Sequence, residues 1–251
     1  MLAQSLVVMA GYDSSEGAGI TVDKRVAIAL GLNVIDVVTA NTIQTQAGVQ
    51  SVTPTTVETL TQQFSAIDPH AVAAIKIGLL YHADTINVVA DFIKDYTVPI
   101  ILDPVLAASK GGALLLPEAL PLLQSRLIPH VTLLTPNIPE AETLLQRPLT
   151  SRHAIETAAQ QFRSPVLIKG GHGTQTDCAD YLYAQGEGQW FESQRLDVTM
   201  RGTGCRLSTA IACYLANGCN LKESVKKAKE YVYNRLLQHH ERVSNEPSCN
   251  N

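Results

Sequence analysis

The stretch Leu6-Val7-Val8-Met9-Ala10-Gly11-Tyr12-Asp13-Ser14-Ser15-Glu16-Gly17-Ala18-Gly19 decides the fold. Five apolar residues without polar alternation read as a strand buried on both faces. A glycine-rich turn follows, and over 20–30 apolar residues return at helical spacing. The same alternation continues outward. Strands are expected over 33–40, 73–77, 99–102, 131–134 and 166–168, and helices over 57–67, 83–92, 117–127 and 155–162. This pattern implies β-α-β units and a mostly parallel sheet covered on both faces. Around 180–198 it changes: Ala179 to Tyr183 and Trp190-Phe191 flank Gln185-Gly186-Glu187-Gly188, which reads as a hairpin at one sheet edge. Two helices close the chain. Leu207, Ile211 and Leu215 recur every four residues in the first. Leu221, Val225, Val232 and Leu236 share a face of the second, opened by an Asn220/Glu223 capping box. Residues 1–251 are expected to form a single domain whose polar tail, about 243–251, is frayed.

Composition narrows the function. The 251 residues carry a formal net charge of −4, and 45 % are apolar. With no basic tract, a nucleic-acid surface is not expected. No run reaches the roughly 20 apolar residues of a membrane span, and the N-terminus has no basic leader, so neither a membrane nor a secretory role is expected. Five cysteines with no CxxC pair suit a reducing cytoplasm.

Open α/β sheets place ligands at the carboxyl ends of their strands, where this sequence puts its glycines and polar residues. Arg201-Gly202-Thr203-Gly204-Cys205 runs straight into an amphipathic helix. Gly-Thr-Gly allows backbone N–H groups to converge, and the helix adds its positive end, which suits a phosphate. Cys205 falls in the first turn, where the dipole favours thiolate. An ordinary glycine turn with a buried cysteine is the plainer alternative. Asp13, ending the first strand, can accept from a ligand hydroxyl or amine. Gln44 can pair with a heterocycle edge, or simply be solvated. Asp103, Asn137 and Glu140 are oxygen donors of the kind Mg²⁺ uses. Asn137 can equally be a helix cap. Lys169, in Lys169-Gly170-Gly171-His172, can meet a nucleotide phosphate, and His172 is expected to shape that loop.

Taken together, the first glycine loop, Gln44, Lys76-Ile77-Gly78-Leu79-Leu80, Asp103-Pro104-Val105-Leu106, residues 135–141, residues 169–172 and Gly202-Thr203-Gly204-Cys205 resemble the hydroxymethylpyrimidine/phosphomethylpyrimidine kinases of thiamine biosynthesis, within the ribokinase-like superfamily. The resemblance spans roughly residues 5 to 240. It implies a three-layer α/β/α fold, a homodimer, and transfer of the ATP γ-phosphoryl to the hydroxymethyl group and then to the resulting monophosphate. By position, Gln44 would bind the aminopyrimidine edge, with Gly11, Asp13 and Ala18 lining its pocket and Leu80 and Val105 as apolar walls. Cys205 would be the base or its close assistant, and Gly202, Thr203 and Gly204 the anion hole. Asn137, Glu140 and Lys169 would serve ATP, with Asp103 and Glu140 holding Mg²⁺ directly or through water.

The chain departs from the family pattern at several places. Tyr12, Ser14 and Glu16 stand where Ser, Pro and Gly are usual. Arg201 precedes the Gly-Thr-Gly-Cys motif where His is common, and Arg206 follows it where Thr is common. Leu106 replaces a common Met, and Ser109-Lys110-Gly111-Gly112 only loosely follows the usual segment. The family's Gly-Pro-His-rich C-terminal extension has no counterpart. Two guanidiniums beside the anion hole would either strengthen phosphate binding or face solvent. Rival readings are a pyridoxal or pyridoxine kinase, a catalytically weak pyrimidine-binding protein, and a thiol hydrolase pairing Cys205 with His172.

Overall fold

A computed structural model describes residues 4–45, 48–108, 111–170 and 177–245. The sheet has nine described strands in the order β3-β2-β1-β4-β5-β6-β7-β8-β9. They are β1 (Ser5–Asp13), β2 (Asn33–Thr45), β3 (Gly48–Pro54), β4 (Val72–Ile77), β5 (Ile100–Leu102), β6 (Leu133–Leu134), β7 (Val166–Ile168), β8 (Asp177–Ala184) and β9 (Glu187–Gln194). Neighbours from β2 through β7 run parallel, while β3 and the β8–β9 pair run antiparallel at opposite edges. The sequence pattern anticipates the β8–β9 hairpin. It misses β3 and ends β2 five residues early, because polar Asn41, Thr42, Gln44 and Thr45 interrupt the apolar run beyond Ala40.

Helices cover both faces, giving three α/β/α layers. One face carries α2 (Val57–Ser65), α3 (Ala83–Ile93), a segment over 117–130 with one α-turn, α4 (Leu120–Leu122), then α5 (Ile138–Leu145) and α6 (Arg152–Ala159). The other carries α1 (Gly19–Ala29), α7 (Thr203–Ala216) and α8 (Leu221–Asn245). Strand pleating accounts for the sandwich. Val7, Met9, Ile75, Ile77, Leu102 and Leu134 enter the first apolar cluster, while their neighbours Leu6, Val8, Ala74, Ile101 and Leu133 enter the second. Alternate side chains project to opposite faces, so a strand covered on both sides must be apolar throughout.

The segment over 117–130 is not the plain helix its periodicity predicts: Pro117, Pro121 and Pro129 break it into 3₁₀, α and π turns. Helix α5 begins immediately after Asn137, where the cap reading of that residue expects a helix. Fraying is expected from about residue 243, but α8 continues to Asn245. Gly171, His172, Ser109, Lys110 and residues 246–251 lie outside the described residues, and so does every expectation placed on them.

Candidate active site

Strands β1, β4, β5, β6 and β7 all end on one edge of the sheet, between the N-termini of α1, α5 and α7. Gly202 caps α7 in the left-handed region (φ 72°, ψ 21°). A Cβ there would also lie 2.6 Å from the Gly17 carbonyl oxygen, so only glycine lets the two loops close on each other. The same contact seats Gly202 against Ala18, whose Cα lies 3.3 Å from that Cβ position. Gly19 (φ 63°) likewise presses on the Gly11 carbonyl, which a Cβ would meet at 2.2 Å.

Beneath the start of α7 lies a charged pair. Lys169 Nζ is 2.7 Å from Asp103 Oδ1; the Asp103 side chain is buried and that of Lys169 only slightly exposed. A Cβ on Gly204 would stand 3.2 Å from Lys169 Nζ, so the missing side chain leaves a direct line from the α7 backbone to the ammonium. Burial opposes the Lys169 charge, but Asp103 and Glu140 outweigh it and raise its pKa. Asn137 and Glu140 form a complete capping box on α5: Glu140 N–H donates to Asn137 Oδ1 and Asn137 N–H to Glu140 Oε2, each at 2.8 Å. The cap reading of Asn137 is therefore realised, and its backbone bridges to Lys169, whose N–H reaches the Pro136 carbonyl at 2.8 Å. Burial pushes the Glu140 carboxyl up to about 7, Lys169 opposing and Asp103 adding to the rise.

This donor set fits Mg²⁺ coordinated largely through water and phosphates. Asp103 and Glu140 are hard oxygen donors whose mutual repulsion a dication would relieve. Among the described residues, Asp103 Oδ2 carries only a 3.4 Å contact from the Ser208 hydroxyl. Among the described residues no three His, Cys, Asp or Glu converge as a ready-made protein cage.

Cys205 sits in the first turn of α7, partly open to solvent. The expected dipole-favoured thiolate is not what its surroundings support. Burial pushes the thiol up to about 11; Lys76 and a hydrogen bond from the Gly19 backbone oppose it, and Asp23 and Asp103 add to the rise. Desolvation in this acidic neighbourhood outweighs one helix terminus.

Lys76 is a residue whose partner the sequence alone does not reveal. It is the penultimate residue of β4, with its side chain 1 % exposed, 2.6 Å from Asp23 Oδ2 on α1, which is fully buried. The other Asp23 oxygen accepts from the Thr209 hydroxyl at 2.8 Å. Burial raises the Asp23 carboxyl, with Lys76 pulling it back. Burial also works against the ammonium, but Asp23, Cys205 and Asp103 outweigh it, so Lys76 stays charged. A lysine inside an apolar strand run was the available signal.

On the pyrimidine side of the expectation, Asp13 and Gln44 do come together, and Arg201 joins them. Its Nη2 donates to Asp13 Oδ2 at 3.1 Å and to Gln44 Oε1, while Nη1 donates to the Ser15 hydroxyl. Arg206 turns back to donate to the Arg201 carbonyl at 2.6 Å. Neither guanidinium is simply a solvent-facing flank of the anion hole. Glu16 pairs with Arg25 at the surface. Leu80 and Val105 line one small cavity with Gly78, Pro104, Leu106, Leu115 and Leu123. Leu79, which sequence reasoning passed over, packs its Cδ1 3.3 Å from where a Gly11 Cβ would be and clusters with Val105.

Known proteins carry the same plan. The phosphomethylpyrimidine kinase family matches residues 13–247. The hydroxymethylpyrimidine/phosphomethylpyrimidine kinase of Streptomyces coelicolor is 37 % identical over 233 residues, covering 90 % of this chain and 86 % of that one. The crystal structure of phosphomethylpyrimidine kinase from Clostridium difficile 630 superposes with a TM-score of 0.78 at 30 % identity, covering 93 % of this chain and 99 % of the other. An ADP complex of Bacillus subtilis pyridoxal kinase superposes with a TM-score of 0.84 at 28 % identity, covering 91 % and 90 %.

Proposed function

The chain belongs to the phosphomethylpyrimidine kinase family and is a kinase; from that premise we propose that it transfers the γ-phosphoryl of ATP to 4-amino-5-hydroxymethyl-2-methylpyrimidine and then to the resulting monophosphate, in thiamine biosynthesis. The observation that carries this reading is the opening of α7 over the Lys169–Asp103 pair, with Cys205 in its first turn. Phosphoryl transfer asks for in-line positioning and charge neutralisation more than covalent chemistry. The amides of Gly202, Thr203, Gly204 and Cys205 hold the transferring group, and Lys169 offsets its charge. Asn137, Glu140 and Lys169 bind the nucleotide. Asp103 and Glu140 would hold Mg²⁺, which when bound would neutralise charge on the phosphates.

Gln44 and Asp13 take the aminopyrimidine edge, Gly11 and Ala18 pack the loop beneath it, and Leu80 and Val105 supply apolar surface. A hydroxymethyl group must lose a proton as it attacks. With its thiol pushed up to about 11, Cys205 accepts that proton through a minor thiolate fraction. A monophosphate is already ionised and needs no such help. The kinase acts as a single domain and as a homodimer in the cytoplasm; among the described residues no helix is long and apolar enough to cross a membrane.

A coupled ATPase assay with hydroxymethylpyrimidine, its monophosphate and pyridoxal, with and without Mg²⁺, tests this. Mg²⁺-dependent turnover is expected with both pyrimidines and only weakly with pyridoxal. The likeness to pyridoxal kinase sustains pyridoxal as the second reading. A kcat/KM higher for pyridoxal than for either pyrimidine would reverse the assignment.

A further inference from the structure

We propose that Arg201 is a specificity-determining residue that weakens binding of a neutral pyrimidine in the acceptor pocket and favours one that carries a phosphate. The proposal deepens the pyrimidine kinase reading and rests on it. Three observations converge. The guanidinium lies between the two groups assigned to the ring, donating to Asp13 Oδ2 and Gln44 Oε1 together. Gln44 is turned for this, because its Nε2 is spent on the Thr42 hydroxyl at 3.1 Å, which leaves Oε1 toward Arg201. Space is also left for it: a Cβ on Gly17 would stand 3.0 Å from Arg201 Nη1.

A guanidinium and a 4-aminopyrimidine both present a planar –NH₂ that donates to a carboxylate or amide oxygen, although the pyrimidine's ring nitrogen beside it accepts where the guanidinium donates. In the free protein Arg201 thus occupies the place of the substrate's amine. A neutral pyrimidine must displace it from Asp13, a carboxylate whose side chain is 3 % exposed, and offers no anion in return. The monophosphate does. To accept a second phosphoryl its phosphate must reach the start of α7, and Arg201 immediately precedes Gly202. The side chain can then exchange Asp13 for the incoming phosphate while the backbone stays held by Arg206, which donates to the Arg201 carbonyl.

The test is calorimetric titration of the full-length protein, without ATP, with hydroxymethylpyrimidine and with its monophosphate. Wild type, Arg201→Met and Arg201→Lys are compared, with thermal melts to verify folding. Arg201→Met is expected to bind the neutral pyrimidine about tenfold tighter and the monophosphate about tenfold weaker, moving the ratio of the two Kd values by roughly a hundredfold. Arg201→Lys keeps a cation but not the bridge, so it should bind the neutral pyrimidine tighter and retain the monophosphate. It serves alone if the Met variant does not fold. Equal shifts for both ligands, or an unchanged ratio, overturn the proposal and leave the kinase reading standing. If wild type neither binds nor phosphorylates either pyrimidine, the substrate reading fails. The proposal, which rests on that reading, is then overturned with it.

Discussion

Removing Lys76 should unbalance the core directly beneath the site. Lys76 and Asp23 meet at 2.6 Å with side chains 1 % and 0 % exposed, so solvent screens neither charge. Lys76→Met keeps the length and apolar stem of the side chain but leaves the carboxylate with the Thr209 hydroxyl alone. Breaking a buried pair by removing one partner costs about 3–5 kcal/mol, mostly through the uncompensated charge. For a chain of this size each kcal/mol lowers Tm by about 2–4 °C, so the melt should fall by roughly 6–20 °C.

The loss should depend on pH with a definite sign. Burial already raises the Asp23 carboxyl, and Lys76 is the largest influence opposing that rise. Without Lys76 the folded pKa climbs further above the unfolded value of about 3.9. The folded state then holds a proton that the unfolded state releases, so stability grows as pH falls through the interval between those two values. Melts followed by circular dichroism at pH 5 and pH 8 should show the smaller deficit at pH 5. The double variant Lys76→Met/Asp23→Asn, which removes both charges, should recover at least half of the loss. A deficit that is the same at both pH values, or a double variant less stable than the single one, would refute the reasoning.

Cys205→Ala should lower kcat for hydroxymethylpyrimidine about 10²–10⁴-fold and for the monophosphate much less. Because the wild-type thiol sits near 11, log kcat for the first acceptor should climb with pH between 7 and 9, and the variant should be flat; equal losses for both acceptors in stopped assays would exclude the proton role. Lys169→Met removes the cation facing the α7 backbone and should cost about 10²–10³ in kcat, with weaker ATP binding by calorimetry. Glu140, pushed up to about 7, binds its proton more tightly folded than unfolded, so it makes stability fall as pH rises from about 4.5 to 7. Glu140→Gln should flatten the Tm-versus-pH curve across that interval, and Mg²⁺ should shift the wild-type curve more than the variant's, which keeps only the Asp103 carboxylate.

How much of this is legible in the chain depends on how far apart the interacting groups lie. The β-α-β order follows from periodicities of two and 3.6, a local property that each strand carries within a few residues. The capping box is equally local, because Asn137 and Glu140 are three residues apart and the backbone brings them together once α5 forms. Glycine and proline punctuation marks the strand ends for the same reason. Those signals place the candidate site at one edge of the sheet, and the family resemblance then supplies the roles.

The partnerships did not come that way. Arg201 reaches Asp13 across 188 positions, and only the closure of the Gly17–Gly202 contact directs its guanidinium to the pocket rather than to solvent. Lys76 and Asp23 are 53 positions apart, each an odd residue in an otherwise ordinary element until packing removes both from water. Whether Leu79 or Leu80 faces Gly11 depends on the backbone just beyond β4, where pleat alternation no longer applies. Cys205 illustrates the limit best. Its place at a helix N-terminus is written in Gly202-Thr203-Gly204-Cys205 and argues for a thiolate. Desolvation by surrounding protein, with Asp23 and Asp103 nearby, pushes the thiol the other way. The sequence by itself determined which groups line the edge of the sheet. Tertiary structure alone decided their long-range partners and how burial shifts their titration, because desolvation and pairing energies depend on neighbours that the chain brings together only when folded.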